Sequence, residues 1–285
     1  MTGAAAPSRS SARVAVVGDI GGQLDELRGE LQRLGADPST GRLPDELTVV
    51  QVGDLIHRGP DSEGVLALVD RYLTEQPGQW IQLVGNHEAQ YISEPSFEWG
   101  EQISDDGAGM LLDWWSERRM RPAIALHADG ADWLITHAGL TEGFWAGVLH
   151  SPATAREAAS AINALSGLRQ QVLFSSGQML GGGPPNLSAG PIWAAEGAEL
   201  IASWLAGGVP LPFSQIHGHS SVVNWRRSEL ECTLEVGAVV TVDPEAAHTI
   251  ATLPGGHLVG VDPGHGRLPH RPWQSLVFED ALLLG

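Results

Sequence analysis

The chain has 285 residues, 42% of them hydrophobic, a formal charge of −18 and a single cysteine, Cys232. That length supports a substantial core in one large domain or at most two, and the lone cysteine excludes an intramolecular disulfide and a thiolate metal site, so a reducing cytoplasm is the expected compartment. No apolar run approaches the roughly 18–20 residues of a membrane helix, and an acidic chain whose basic residues are all arginine, with no basic stripe, repels a long nucleic acid yet can capture a small phosphate ester where bound cations reverse the local sign.

Residues 1–12 are small, polar and proline-containing, and read as a disordered lead-in without the apolar stretch of a signal peptide. RVAVV (13–17) is nearly all apolar and predicts a buried strand. QLDELRGELQRL (23–34) places Leu24, Leu27, Leu31 and Leu34 at helical spacing. LTVVQV (47–52) is a second strand, DSEGVLALVDRYL (61–73) a helix capped by Asp61, and WIQLV (80–84) a third strand. Strand, helix, strand, helix, strand marks an α/β fold. GMLLDWWSERR (109–119) predicts a helix that packs Leu111, Leu112, Trp114 and Trp115 into the core, and 123–127 with 132–136 predicts a hairpin. Residues 141–206 are mostly helical, broken by a Gly/Pro/Ser-rich loop at 175–191 that reads as a mobile lid or rim. Strand-like runs follow at 213–217, 221–225, 233–242, 247–252, 257–261 and 274–278.

The residues after the strands carry the chemistry. Gly18-Asp19 follows the first strand and Gly53-Asp54 the second; Gly85-Asn86-His87-Glu88 follows the third, His137 the run at 132–136, and Gly218-His219 the run at 213–217. In α/β folds ligands sit outside the carboxyl ends of strands, and glycine lets the backbone turn sharply there. Taken singly, Gly-Asp is usually a turn and a strand-end His a packed residue. In this order, all at strand ends, they read as metal ligands converging on one edge. Mixed oxygen and nitrogen donors without sulfur suit Mn²⁺, Fe or Zn²⁺ better than Ca²⁺ or copper. Two carboxylates can hold two cations if one bridges, and such a pair clamps a phosphate and generates hydroxide near neutral pH. Arg58 follows the second Asp where a planar fork can bind phosphoryl oxygens, and His87 can protonate a leaving alcohol.

The order GD…GDxxxRG…GNHE…HAG…GH resembles the calcineurin-like metallophosphoesterases, in particular the phosphoprotein-phosphatase branch. GDLIHRGPDSEGVLALV, LLDWWSERRMRPAIAL…DWLITHAGL and LVGVDPGHGRLP are most similar to the bacterial symmetrical dinucleoside tetraphosphatases within it. The resemblance implies a four-layer α/β/β/α sandwich around a two-metal site, with residues 13–285 as one domain and helical insertions at about 90–120 and 141–210. It implies that Asp54 bridges two metals, that Asn86, His137 and His219 complete the shell of the second, and that Asp19 belongs to the first. It further implies phosphate binding by Arg58, general acid catalysis by His87, and Asp262 beside the first metal.

Two positions depart from that pattern. The family reads Gly-Asp-x-His-Gly where this chain has Gly18-Asp19-Ile20-Gly21-Gly22, so a ligand of the first metal is missing. One tightly held ion and one weak, exchangeable or absent ion are expected, with Mn²⁺ or Mg²⁺ tolerating a water-rich shell better than Zn²⁺. Waters, with Asp262 or His265, are the candidates to complete the shell of that metal. His57 stands where many phosphatases of the branch carry an Asp bonded to the catalytic His; it reads as a weaker support for His87 beside the substrate, or as a recruit to the depleted metal site. His217 reads as packed beneath the site, Trp193 as a rim residue, and His127, His150, His248, His257 and His270 carry no motif.

The sequence thus leads to a metal-dependent phosphoesterase that uses metal-activated hydroxide on a phosphorylated small molecule, a nucleotide or a phosphoprotein. The alternative is a weak or inactive relative that binds a nucleotide or a protein through the same pocket. Oligomeric state is not encoded in any motif.

Overall fold

The computed structural model describes residues 12–94, 99–168, 170–178, 182–265 and 272–284. Apart from Ala12, the expected lead-in lies outside the described residues, as does His270. The first half runs β1 (Ala12–Val17), α1 (Leu24–Arg33), β2 (Leu47–Gln51), α2 (Ser62–Glu75), β3 (Trp80–Leu83), α3 (Asn86–Ile92), α4 (Asp105–Ser116), β4 (Met120–Arg121), β5 (Ala123–Ala128) and β6 (Ala131–Thr136). The second runs α5 (Glu142–Gly147), α6 (Ala155–Leu168), α7 (Gln170–Leu173), a π-helical turn (Glu196–Ile201) continuing as α8 (Ala202–Gly207), β7 (Ser214–His217), β8 (Val223–Asn224), β9 (Glu229–Leu230), α9 (Leu234–Gly237), β10 (Val240–Asp243), β11 (His248–Leu253), β12 (Gly256–Gly260) and β13 (Leu276–Leu283).

Eleven strands form one sheet in the order β10-β11-β12-β7-β6-β5-β13-β1-β2-β3-β4, and β8 with β9 forms a separate hairpin. The long strand β13 joins the two halves: Ala281 pairs antiparallel with Ala12 of β1 and with Ala128 of β5. β1, β2, β3 and β4 are mutually parallel, as are β6, β7 and β12.

Strand alternation makes the four layers. Val14 and Val16 of β1 pack with Val50, Leu83, Ile124, Leu126, Ile135, Ile216, Val259 and Phe278, a core contributed by strands, so the two halves of the sheet face each other. Ala15 and Val17 point the other way into a second core with Leu27 and Leu31 of α1, Val65 and Val69 of α2 and Ala158 and Ile162 of α6. Each fully buried Val, Leu or Ile contributes about 1.5–3 kcal/mol. The fold is the α/β sandwich expected, with helices outside a doubled sheet.

Some local expectations change. In α4 Leu111 and Trp114 are buried, but Leu112 is half exposed because one residue along a helix turns about 100° away from the core. The strand expected over 233–242 is a strand only from Val240; Thr233 caps α9 by accepting the N–H of Val236, and Leu234 is exposed. Asp61 does cap α2, accepting the N–H of Gly64 at 2.8 Å. The described parts of the 175–191 loop are anchored, since the buried Glu199 accepts the N–H groups of Gln178 and Asn186 at 2.7 Å each.

Candidate active site

β1, β2, β3, β6, β7 and β12 all point their carboxyl ends at one edge, so Asp19, Asp54, Asn86, His137, His219 and Asp262 emerge side by side there, all of them buried. The turns that present them are strained or tightly packed. Asp54 and His219 adopt left-handed backbone conformations, with φ of 56° and 68°. A Cβ on Gly218 would lie 2.1 Å from Asp19 Oδ1, so only glycine lets the Asp19 carboxylate dock on the turn, where it accepts the N–H of His219 at 3.0 Å.

His137 Nδ1 lies 3.0 Å from the carbonyl of Val52 and can only donate to it, which turns the lone pair of Nε2 toward the centre. There Nε2 sits 3.0 Å from Asn86 Oδ1 and 3.3 Å from Asp54 Oδ1, and His219 Nδ1 is 2.8 Å from the same Asn86 oxygen. Burial lowers the pKa of His137 and so favours the neutral ring. His137 Nε2 therefore faces the oxygens of Asn86 and Asp54 with a lone pair and no proton between them, which is the arrangement a cation satisfies. Asp54 Oδ2 is buried without a hydrogen-bond partner among the described residues. One ligand atom each from Asp54, His137 and His219 falls within 4.8 Å of the others. The donor set fits a divalent cation.

The charges agree with that fit. Burial pushes the Asp54 carboxyl up, but His87, His137, Arg58 and His219 together outweigh burial and hold it below the usual carboxylate range. Asp19 is raised well above its ordinary value, first by burial and then by the carboxylates of Asp262 and Asp54. Asp262 is itself pinned by the N–H of Gly264 at 2.7 Å. Three buried carboxylates at one edge are a negative cluster that a cation relieves.

Gly21, where the sequence lacks a ligand, has φ of 53°, and a Cβ built on it would meet the His57 carbonyl at 3.4 Å and His265 Cβ at 3.5 Å. His265 is thus close, with its ring edge-on to Trp273 at 5.1 Å. The His57 side chain turns away from position 21: it is fully buried, with Nδ1 2.9 Å from His87 Nδ1 and Nε2 2.7 Å from the Tyr91 hydroxyl. Arg58 Nη2 lies 3.1 Å from His87 Nε2, which is 3.6 Å from Asp54 Oδ2. Burial lowers the pKa of His87 to about 3. Trp193 is buried edge-on against His219 at 5.8 Å, so it walls the site from below and is not at the rim. His217 is buried 3.8 Å from Glu196, beneath the edge as expected.

Sequence reasoning passed over Glu88, Glu196, Tyr91 and Trp99. Glu88, fully buried, accepts the N–H groups of Asp54, Leu55 and Gly85 at 2.8 Å each. Glu196 accepts the N–H of Val222 and the Thr249 hydroxyl, holding the loop after His219. Trp99 stacks on His57 at 5.5 Å and lies 5.5 Å from the Arg58 guanidinium. Only the contact of Glu88 with the Gly85 N–H, three residues back, is local; its hold on Asp54 has no local signal.

A doubled sheet with acidic and imidazole ligands at its carboxyl edge defines a metallophosphoesterase-type fold. Residues 12–165 match the calcineurin-like phosphoesterase family, to which the chain belongs. It is 30% identical over 134 residues to a symmetrical bis(5'-nucleosyl)-tetraphosphatase of Photorhabdus laumondii, with 44% of each chain covered. It is 31% identical over 133 residues to one of Pseudomonas putida, covering 44% of this chain and 41% of that one. The matched stretch spans less than half the length of these relatives. Among solved structures, the cold-active protein-tyrosine phosphatase of a psychrophilic Shewanella species shares the fold, with a TM-score of 0.54 and 17% identity over 94% of this chain and 75% of that one. Among the described residues no helix is long and apolar enough to cross a membrane.

Proposed function

We propose that this chain is a metal-dependent phosphoesterase that hydrolyses a phosphomonoester or phosphoanhydride at this edge. The observation that carries the reading is the convergence of Asp54, Asn86, His137 and His219, with the Nε2 lone pair of His137 facing inward and Asp54 Oδ2 buried without a hydrogen bond among the described residues. These four would hold one divalent ion, with Mn²⁺ the first to test and Fe, Zn²⁺ and Mg²⁺ the competitors. Asp19 and Asp262, with Asp54 shared, would hold a second more weakly, because Gly21 supplies no ligand. Bound there, a divalent cation supplies Lewis-acid polarisation of the phosphoryl group and acidifies water.

Arg58 is placed to fork onto phosphoryl oxygens, its backbone fixed in a left-handed turn and tied to Glu101 at 2.7 Å. His87 Nε2, between Arg58 and Asp54, is the atom that delivers a proton to the leaving oxygen. Negative charge on a phosphoryl group beside the ring raises the low pKa that burial imposes. The names of the curated relatives make a dinucleoside tetraphosphate the first substrate to try, with phosphorylated small molecules and phosphoproteins next; the single cysteine supports a cytoplasmic setting.

The test is turnover of an aryl phosphate and a dinucleoside tetraphosphate by the purified chain with Mn²⁺. Activity is expected, with a loss of at least about 100-fold in Asn86→Ala and His87→Ala. Bound metal with no turnover on either ester would instead support the binding-only relative, whose one structural support is Gly21.

A further inference from the structure

Arg58, His87, His57 and Tyr91 form an unbroken row of polar contacts. Arg58 Nη2 is 3.1 Å from His87 Nε2, His87 Nδ1 is 2.9 Å from His57 Nδ1, and His57 Nε2 is 2.7 Å from Tyr91 Oη. A guanidinium only donates, so His87 Nε2 is the acceptor of the first contact. The one proton of a neutral His87 ring then sits on Nδ1 and is donated to His57 Nδ1. His57 carries its own proton on Nε2 and donates to Tyr91 Oη, which also accepts the N–H of Ile103 at 3.3 Å. In this polarity the Arg58 guanidinium and the N–H groups of both imidazoles each meet an acceptor; in the reverse one, Arg58 and His87 face each other with two donors. Trp99 covers the row, parallel to His57 and 4.4 Å from His87, and Glu101 is engaged by the Arg58 N–H and the Ser62 hydroxyl.

We propose, on the basis of the phosphoesterase reading, that His57 and Tyr91 are positioning residues for proton delivery by His87. They form a neutral acceptor chain that keeps a proton on His87 Nδ1, so that Nε2 faces the phosphate site. Arg58 covers Nε2 in this arrangement and uncovers it by turning to another acceptor, such as a phosphoryl oxygen. With Arg58 turned away, His87 takes up a second proton at Nε2 from solvent; as an attacking water oxygen bonds to phosphorus and its proton leaves to solvent, the P–O bond to the leaving group breaks and the Nε2 proton passes to the leaving oxygen, while Nδ1–H stays bonded to His57 and the ring returns to its neutral form. His57 accepts a hydrogen bond throughout and takes no proton. Its φ of 68° is a conformation that Asn and Asp tolerate best among side chains that could replace it.

The test compares a phenyl phosphate, whose leaving group needs a proton, with a dinitrophenyl phosphate, whose leaving group does not. His57→Ala and Tyr91→Phe should each lose about 10–100-fold in kcat on the phenyl ester and less than about threefold on the dinitrophenyl ester. His57→Asn, whose Oδ1 can accept from His87, should recover most of the phenyl ester rate. Equal losses on both esters, or no loss on the phenyl ester, would overturn the proposal. A second readout is independent of turnover: heteronuclear NMR of the histidine-labelled full chain, with His87 assigned through His87→Gln, should show the Nδ1–H tautomer of His87. An Nε2–H tautomer would overturn the proposal too. If the wild-type chain cleaves neither ester, the phosphoesterase reading fails and the tautomer alone decides.

Discussion

The side chain of Glu88 holds Asp54 from behind. Its Oε2 accepts the Asp54 N–H and its Oε1 the Leu55 N–H, both at 2.8 Å, and Oε2 also takes the N–H of Gly85. A residue at the start of α3 thereby fixes the left-handed turn at the end of β2, and Asp54 Oδ1 in return accepts the N–H of His87 at 3.0 Å. Glu88→Gln would set an amide N–H against at least one of these three donors. The expected cost is about 1–3 kcal/mol of stability, together with weaker metal binding because Asp54 loses its support. Thermal unfolding with and without Mn²⁺ checks this; an unchanged Tm in both conditions would mean that the turn holds itself.

Glu196 offers a pH test. Burial pushes its carboxyl up to about 7, and the Thr249 hydroxyl and Val222 N–H only partly offset it. Between the unfolded value near 4.5 and the folded value near 7 the native state holds a proton that the unfolded chain releases. Stability contributed by this group should therefore be present below pH 4.5 and fall as pH rises through 7, by on the order of 3 kcal/mol at most. Glu196→Gln keeps an acceptor for Val222 and a partner for Thr249 without titrating. Chemical unfolding from pH 4.5 to 7.5 should show a smaller decline for the variant than for the wild type; parallel curves would place the ionisation elsewhere.

Much of the edge could be read from the sequence, because it depends on local signals: an apolar strand, a glycine, then a polar residue. Asp19, Asp54, Asn86 and His219 followed that rule, and His137 follows its strand directly. The supports did not, because Glu88 reaches Asp54 across 34 positions and Tyr91 reaches His57 across 34 more. Contacts of that separation leave no periodicity. The strand expected at 233–242 failed for a local reason: Thr233 offers its side chain to the Val236 N–H, and a cap competes with extension. The doubled sheet was implied by family resemblance; its physical cause, β13 pairing with both β1 and β5, needs the fold itself.

Position 21 tests the depleted first site. A Cβ there meets no neighbour nearer than 3.4 Å, but the residue must adopt φ of 53°. Gly21→His should cost about 1–2 kcal/mol in the metal-free chain and tighten the weaker of two Mn²⁺ binding events. Unchanged affinity for both, measured by calorimetric titration, would show that another group such as His265 already fills that role.

If this edge is a metal centre, Asp54, Asn86, His137 and His219 share a divalent cation. The most direct measurement of that sharing is the Mn²⁺ affinity and metal content of the purified full chain beside Asn86→Ala and His137→Ala. At least one tightly bound ion per wild-type chain is expected, with a loss of about 10–100-fold or more in affinity when either ligand is removed. A wild-type chain that binds no divalent ion, or variants that bind it as well as the wild type, would contradict it.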